Sequence, residues 1–389
     1  MSKSKIYKEP AINTVCFIFF GWTNNFGYSV MLSAAKRIIG DKAPTSAVLL
    51  CDILPAFLIK LFVGFFLEKI PMIVKVLVTV LCAVLGFLLA SLSDVSVVLG
   101  LMGVVFHSTG SGIGEITFLS YSSYFSASCL SGWSVGTGLA GLTAAGMYAI
   151  LSDLLHVNNK IILYCFIPIP LLMIEAYYLS NSKISPGQQA EKQKQSKQSD
   201  LENIPLLKQK QQKEKLTMKQ KIMSLLPMWT YYLSLFLVYV SEYMINQSVN
   251  AVMDFPGSQY ETLFYTFSQF AYQGGVLISR SSLQLFKLPY YLVLMPSLFQ
   301  FLFLVMFSFE AMTLFINNFW VMMCLVFVEG FWGGLVYVDA MYWISMKSEE
   351  GIVKEFRLGI AAAFNSLGVL VASLIGFWLE PYIKEHKYW

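Results

Sequence analysis

Nine ionisable side chains lie inside long apolar stretches of this sequence: Asp52, Lys60, His107, Glu115, Glu175, Glu242, Arg280, Glu329 and Asp339. A charge at the middle of a bilayer-spanning helix costs about 2.5–3.5 kcal/mol, so each such group is expected to pair, line a watery path or relay protons. His107 and Glu329 fall near the middle of their stretches, whereas Asp52, Glu175, Arg280 and Asp339 fall toward the ends, where anchoring at the interface is an even alternative. His107 and Glu115 are eight residues apart, about two helical turns, and are expected on one face. Gly110, Gly112 and Gly114 between them permit close backbone approach. An imidazole titrates near 6.5, so His107, Glu115, Glu242 and Glu329 are the candidates for proton coupling or gating. Arg280 is expected to hold a gate with Asp339.

The uncharged polar residues cluster in two places. Asn24, Asn25 and Tyr28 fall within about one turn, and Glu242, Tyr243, Asn246 and Gln247 fall within six positions of another apolar stretch. Such groups find no partner in lipid, so they are expected to face a cavity or another helix. Asn24, Asn25, Tyr28, Asn246 and Gln247 are therefore the candidate hydrogen-bonding residues for a bound solute. Lys60 is the candidate cation, with snorkelling to the interface as its alternative.

The elements that must position these groups follow from composition. Of 389 residues, 56% are hydrophobic and 13% charged, which leaves too little polar surface for a soluble chain of this length. Eleven stretches reach the roughly 20 residues a span requires: 10–33, 46–67, 72–91, 95–120, 131–152, 160–180, 224–247, 259–283, 288–309, 315–340 and 357–380. Residues 181–223 are rich in Lys, Gln and Ser and read as a flexible linker. The expected architecture is an all-α polytopic membrane protein, with a six-helix half over 1–180, the linker, and a five-helix half over 224–389. Of 27 Lys and Arg residues only Lys36, Arg37, Lys42, Lys160, Lys384 and Lys387 fall opposite the N-terminus and linker, apart from Lys60 within a span. The positive-inside rule therefore places N-terminus and linker in the cytosol and the C-terminus on the other face. Two multi-span halves around a central site suggest a major-facilitator-like transporter. Six scattered Cys and three His offer no metal-ligand spacing, and no nucleotide loop, catalytic triad or nucleic-acid motif stands out. Neither cofactor, metal, enzyme activity nor nucleic-acid binding is expected. The repeating Gly132, Gly136, Ala140 spacing reads as tight helix packing.

Several blocks carry a family likeness. Asn24-Asn-Phe-Gly-Tyr-Ser-Val-Met-Leu-Ser-Ala-Ala35, Cys51-Asp-Ile-Leu-Pro55 with Ile59-Lys-Leu61, and Ser111-Gly-Ile-Gly-Glu-Ile-Thr-Phe-Leu-Ser120 occur in the first half. Trp133-Ser-Val-Gly-Thr-Gly-Leu-Ala-Gly141 follows, then Glu242-Tyr-Met-Ile-Asn-Gln247, Tyr272-Gln-Gly-Gly-Val276, Ser279-Arg-Ser-Ser282 and Glu329-Gly-Phe-Trp-Gly-Gly334. In this order and over about 350 residues, the chain resembles the battenin family of lysosomal and vacuolar membrane proteins. The resemblance implies a major-facilitator-related fold and a role in exporting glycerophosphodiesters, the deacylated remnants of phospholipids, and the titratable groups named above add an expected proton sensitivity. It also brings two alternatives: transport of basic amino acids, and a non-transporting role in lysosomal pH and trafficking. For a glycerophosphodiester, Lys60 is the residue expected to attract the single phosphate charge, ahead of Arg280.

The linker contains Glu202-Asn-Ile-Pro-Leu-Leu207, in which Glu202, Leu206 and Leu207 match the acidic dileucine pattern read by clathrin adaptors. Its lysines are also placed to touch anionic lipid.

Overall fold

The computed structural model describes residues 11–387 apart from 41, 64–69, 123–124, 126, 183–222, 257–262, 283–285 and 349–351. Nearly the whole linker, with Glu202, Leu206 and Leu207, lies outside the described residues.

Helix formation here follows from the solvent. Backbone groups in lipid must be satisfied within their own segment, and among the described residues there are helices and no strands. The first half comprises α1 (Ala11–Ser33), the short α2 (Ala35–Ile39), α3 (Ser46–Leu58) with a π-helical turn Ile59–Val63, α4 (Met72–Ala90), α5 (Val97–Ser122) and α6 (Ala127–Ala149). It closes with α7 (Asn159–Phe166) and α8 (Leu172–Ser182), joined through a 3-10 turn at Ile169–Leu171 beside Pro168. The second half comprises α9 (Trp229–Met244), which runs through a π-helical turn Ile245–Val249 to Val252, then α10 (Phe264–Ser281), α11 (Met295–Thr313), α12 (Phe319–Met346) and α13 (Ile352–Glu385). Each of the eleven expected stretches contains a helix, and eight helical runs among the described residues are long and apolar enough to cross a membrane. The polar content of α1 and α10 explains why they are not among the eight, and α3, at 13 residues, is too short to be. Asn13, Thr23 and Asn24 are buried in α1, as are Ser268 and Gln269 in α10, so these helices are solvated by protein rather than lipid. The opposite case is α4, whose Leu77 and Leu81 point outward.

Within each half the helices cross at small residues. A β-carbon at Gly21 would run into the Trp133 carbonyl of α6, and one at Gly136 into the Ile18 carbonyl of α1. In the second half Gly275 of α10 lies against the Phe327 carbonyl of α12, and Gly330 against the Tyr272 carbonyl. These backbone-to-backbone approaches supply the packing that a lipid solvent cannot drive by hydrophobicity. The two halves meet where α3 packs on α13 and α6 on α10.

Candidate functional site

A cavity of about 160 Å³ lies between the halves, and four helices of each half present polar groups to it. From the first half come Asn25, Tyr28 and Ser29 of α1, Asp52 and Lys60 of the α3 segment, Ser111 and Glu115 of α5, and Thr137 of α6. From the second come Tyr239 and Tyr243 of α9, Tyr272, Gln273 and Arg280 of α10, Tyr337 of α12 and Asn365 of α13. The Tyr28 hydroxyl donates to the Tyr243 hydroxyl at 2.6 Å, bridging the halves across the cavity.

Its charges fall into three groups. Lys60 Nζ pairs with Glu115 Oε2 at 2.6 Å, with 19% and 30% of their side chains still exposed. Asp52 is buried, and neither carboxylate oxygen has a hydrogen-bond partner among the described residues. Arg280 stacks on the Tyr337 ring, 4.6 Å from its centroid. It does not pair with Asp339, which instead accepts the Leu288 N–H at 3.4 Å. The expected Arg280–Asp339 gate is therefore not formed. The two are 59 positions apart on different helices, and their register toward each other is set by the α10–α12 crossing, which the sequence does not reveal.

A partly exposed pair gains little, about 0.2–1 kcal/mol, because water screens it and two long side chains lose freedom. Lys60→Met and Glu115→Gln, singly and together, are accordingly expected to give a coupling energy in that range. A double-mutant cycle on detergent-solubilised protein checks this, and a coupling above about 3 kcal/mol would instead mark a desolvated pair.

Behind the cavity wall the second half holds a polar network. Tyr272, which lines the cavity, donates its hydroxyl to Glu242 Oε1 in a very short contact, while Glu242 Oε2 is buried without a partner. Asn246 Nδ2 donates to the Glu242 carbonyl at 3.0 Å and reaches both Glu329 oxygens at 3.2 and 3.3 Å. Gln300 Nε2 completes the set by donating to Glu329 Oε1 at 2.6 Å. Among the described residues neither carboxylate forms an ion pair. Gln269 Nε2 donates to the Asn246 carbonyl at 3.0 Å and Gln247 Nε2 to Gln269 Oε1 at 3.4 Å, so Asn246 and Gln247 serve interior contacts and do not line the cavity. Tyr239, Tyr243 and Gln247 would share one face of an unbroken α-helix, but the π-helical turn at Ile245–Val249 rotates that face away after Tyr243.

Asn24 also departs from expectation, since its Nδ2 donates to the Ser111 carbonyl at 3.2 Å and it packs against Gly114 rather than the cavity. His107 packs against Gly27, Gly86 and Phe87, and its Nδ1 has no hydrogen-bond partner among the described residues. Eight residues at 100° each leave about 80° of rotation, which is why Glu115 reaches the cavity and His107 does not. Asn25, Tyr28, Lys60, Glu115 and Arg280 are the sequence-derived candidates that the fold brings together around one space.

At the end of the bundle carrying residues 32–46 the halves are bonded together. Glu380 of α13 accepts from the Thr45 N–H and from Thr45 Oγ1, both at 2.9 Å. Thr45 Oγ1 also makes a short contact with the Gln247 carbonyl, and Ser46 Oγ lies 3.1 Å from Ser248 Oγ. The Tyr265 hydroxyl lies 2.8 Å from the Leu32 carbonyl and 2.9 Å from Gln247 Oε1, with Lys36 Nζ 5.0 Å above its ring. Burial pushes the Lys36 ammonium down to about 8, so it remains a cation at acidic pH. Sequence reasoning missed Glu380, Gln300 and Gln269. Glu380 sits at the boundary of the last apolar stretch, where a charge resembles an ordinary interfacial anchor.

The family model described as CLN3 protein matches residues 15–386. Protein BTN1 of Yarrowia lipolytica (strain CLIB 122 / E 150) is 34% identical, covering 97% of this chain and 96% of its own length. Protein BTN1 of Eremothecium gossypii is 33% identical, with 95% of each chain covered. Among solved structures, the POT family transporter PepTSo matches with a TM-score of 0.65 at 12% identity, over 97% of this chain and 90% of its own. The D-xylose-proton symporter matches with a TM-score of 0.62 at 10% identity, over 94% and 88%. A bacterial homolog to the human lysosomal transporter Spinster, inward-facing and unoccupied, matches with a TM-score of 0.55 at 13% identity, over 95% and 82%. The fold is that of the major-facilitator transporters.

Proposed function

From the premise that this chain belongs to the CLN3 protein family, we propose that it is an alternating-access transporter of the lysosomal or vacuolar membrane that exports glycerophosphodiesters. The observation that carries this reading is the polar cavity between two halves that are bonded together at one end only by side-chain contacts. Such contacts can be exchanged as the halves rock, exposing the same site to either face. With the N-terminus in the cytosol, the bonded end is the luminal one. The linker lies on the cytosolic side, where its dileucine motif would meet clathrin adaptors.

Asn25, Tyr28 and Gln273 offer hydrogen bonds for a glycerol moiety. Glu242 is the proton-coupling group of this reading, because Tyr272 connects it to the cavity while its second oxygen is left without a partner. Glu329, held by Asn246 and Gln300, stands next in line behind it. Saturable uptake of labelled glycerophosphodiesters into proteoliposomes, driven by a pH gradient, tests the reading. No uptake by folded protein across several head groups and both gradient directions would overturn it. Glu242→Gln keeps the Tyr272 hydrogen bond and removes the titration. Its uptake is expected to lose dependence on the gradient while the protein still folds, and retained gradient dependence would remove Glu242 from the role.

A second reading draws on Asp52, whose unpartnered carboxylate could take the cationic group of a basic amino acid. Competition of lysine or arginine against glycerophosphodiester uptake separates the two.

A further inference from the structure

The cavity contains two cations, and they are not equivalent. Lys60 is neutralised by Glu115 at 2.6 Å, so a bound anion would have to displace a carboxylate to reach it. Arg280 has no carboxylate within ion-pair distance and no hydrogen-bond acceptor among the described residues. Its Nε is fully buried and unsatisfied, its guanidinium carbon lies 4.6 Å from the centroid of the Tyr337 ring, and the residue lines the cavity. Glu242 of α9 accepts from the Tyr272 hydroxyl instead. A guanidinium carries five N–H donors in a rigid fork, and leaving a buried one unmade is costly. A ligand that supplies two acceptor oxygens in one plane relieves that cost.

We propose that Arg280, oriented by Tyr337, is the oxyanion-binding subsite of the cavity, and that it selects singly charged oxyanions of the phosphodiester type. The proposal rests on the transport reading of the same cavity. Selection follows from the charges that surround Arg280: a diester brings one negative charge to it, while a phosphomonoester brings close to two at neutral pH. The second charge of a monoester would face the unpaired Asp52 carboxylate or compete with Glu115 for Lys60. Lys60 then attracts substrate toward the site without holding it, and Arg280 takes over the role that the sequence assigned to Lys60.

The test measures binding of four probes to the purified full chain, by thermal shift and by quenching of tryptophan fluorescence, Trp133 being in the cavity wall. The probes are glycerophosphoglycerol (phosphodiester), glycerol 3-phosphate (monoester), glycerate (carboxylate) and glycerol. The expected order is diester tightest, monoester and carboxylate weaker, glycerol without effect. Loss of hydrogen bonds to a charged group corresponds to about 10- to 100-fold in affinity, which is the weakening expected for Arg280→Gln. Arg280→Lys keeps the charge without the fork and is expected to fall between, which also guards against misfolding as the cause. Lys60→Met is expected to weaken binding less than Arg280→Gln does. Unchanged diester binding in folded Arg280→Gln, or a larger loss in Lys60→Met, would overturn the subsite. Monoester binding tighter than diester would overturn the charge rule, and glycerate binding as tightly as the diester would overturn the phosphodiester preference while leaving Arg280 as the anion site. Parallel uptake assays separate this from the function itself. Diester that binds through Arg280 but is not carried overturns transport alone, and diester carried normally by Arg280→Gln overturns the subsite alone.

Discussion

Ser46→Cys combined with Ser248→Cys is expected to form a disulfide that stops transport outright and releases it on reduction. Ser46 Oγ and Ser248 Oγ lie 3.1 Å apart on opposite halves, with Gly376 of α13 packed close against both. A disulfide needs its α-carbons within roughly 4.4–6.8 Å, and hydroxyls in hydrogen-bond contact place the two replacement sulfurs close to one another. If the halves rock, this seam must part in every cycle, and a covalent bond there holds one end closed. The six native cysteines are all free, so each single variant serves as the control for adventitious pairing. Uptake is measured after oxidation and again after dithiothreitol. Full uptake by the verified cross-linked protein would show that this end does not open, and would sink the alternating-access reading.

Gly136→Val is expected to remove most folded protein. Gly136 lies directly on the Ile18 carbonyl of α1, and the Trp22 N–H is also near, so an added side chain meets backbone on a partner helix rather than a flexible tip. Overpacking a tight core typically costs 1–3 kcal/mol, and here the only relief is to spread α1 from α6 along their length. Gly138→Ala is the matched control, because at that position the nearest atom is the mobile Leu277 Cδ1, 3.3 Å away. Size-exclusion profiles of fluorescently tagged variants check both. A normal monodisperse peak for Gly136→Val would mean that the α1–α6 crossing is looser than its geometry implies.

The helical stretches were legible because lipid imposes a length and a composition on each of them. The packing role of Gly132 and Gly136 was legible too, from spacing alone, and the structure places both against backbone of α1. Side-chain facing was less so. Counting in steps of four puts Gln247 on the face of Tyr239 and Tyr243, and one π-helical turn takes it into the interior instead. Counting in steps of eight merges His107 with Glu115, although the accumulated rotation separates them. Partners from distant parts of the chain left no local trace at all. Glu115 neutralises Lys60 from 55 positions away, and Gln300 meets Glu329 only because α11 and α12 pack together. Thr45 and Glu380 are nearly the whole chain apart, so neither looks remarkable by itself in the sequence.

That last contact has an energetic meaning for the cycle. Helix α3 has no capping side chain of its own at Thr45, and the Glu380 carboxylate of the other half receives the N–H there instead. A cap typically stabilises a helix by about 0.5–2 kcal/mol, so the bonded conformation carries that advantage as a trans-supplied cap. At 1.4 kcal/mol per decade, this is a bias of about 2- to 30-fold in the occupancy of the two end states. When the halves part, the freed amide must be taken up by water, since lipid offers it no acceptor. Hydration of one helix terminus thereby becomes part of the conformational equilibrium, and solutes that withdraw water from that side of the membrane should hold this end shut.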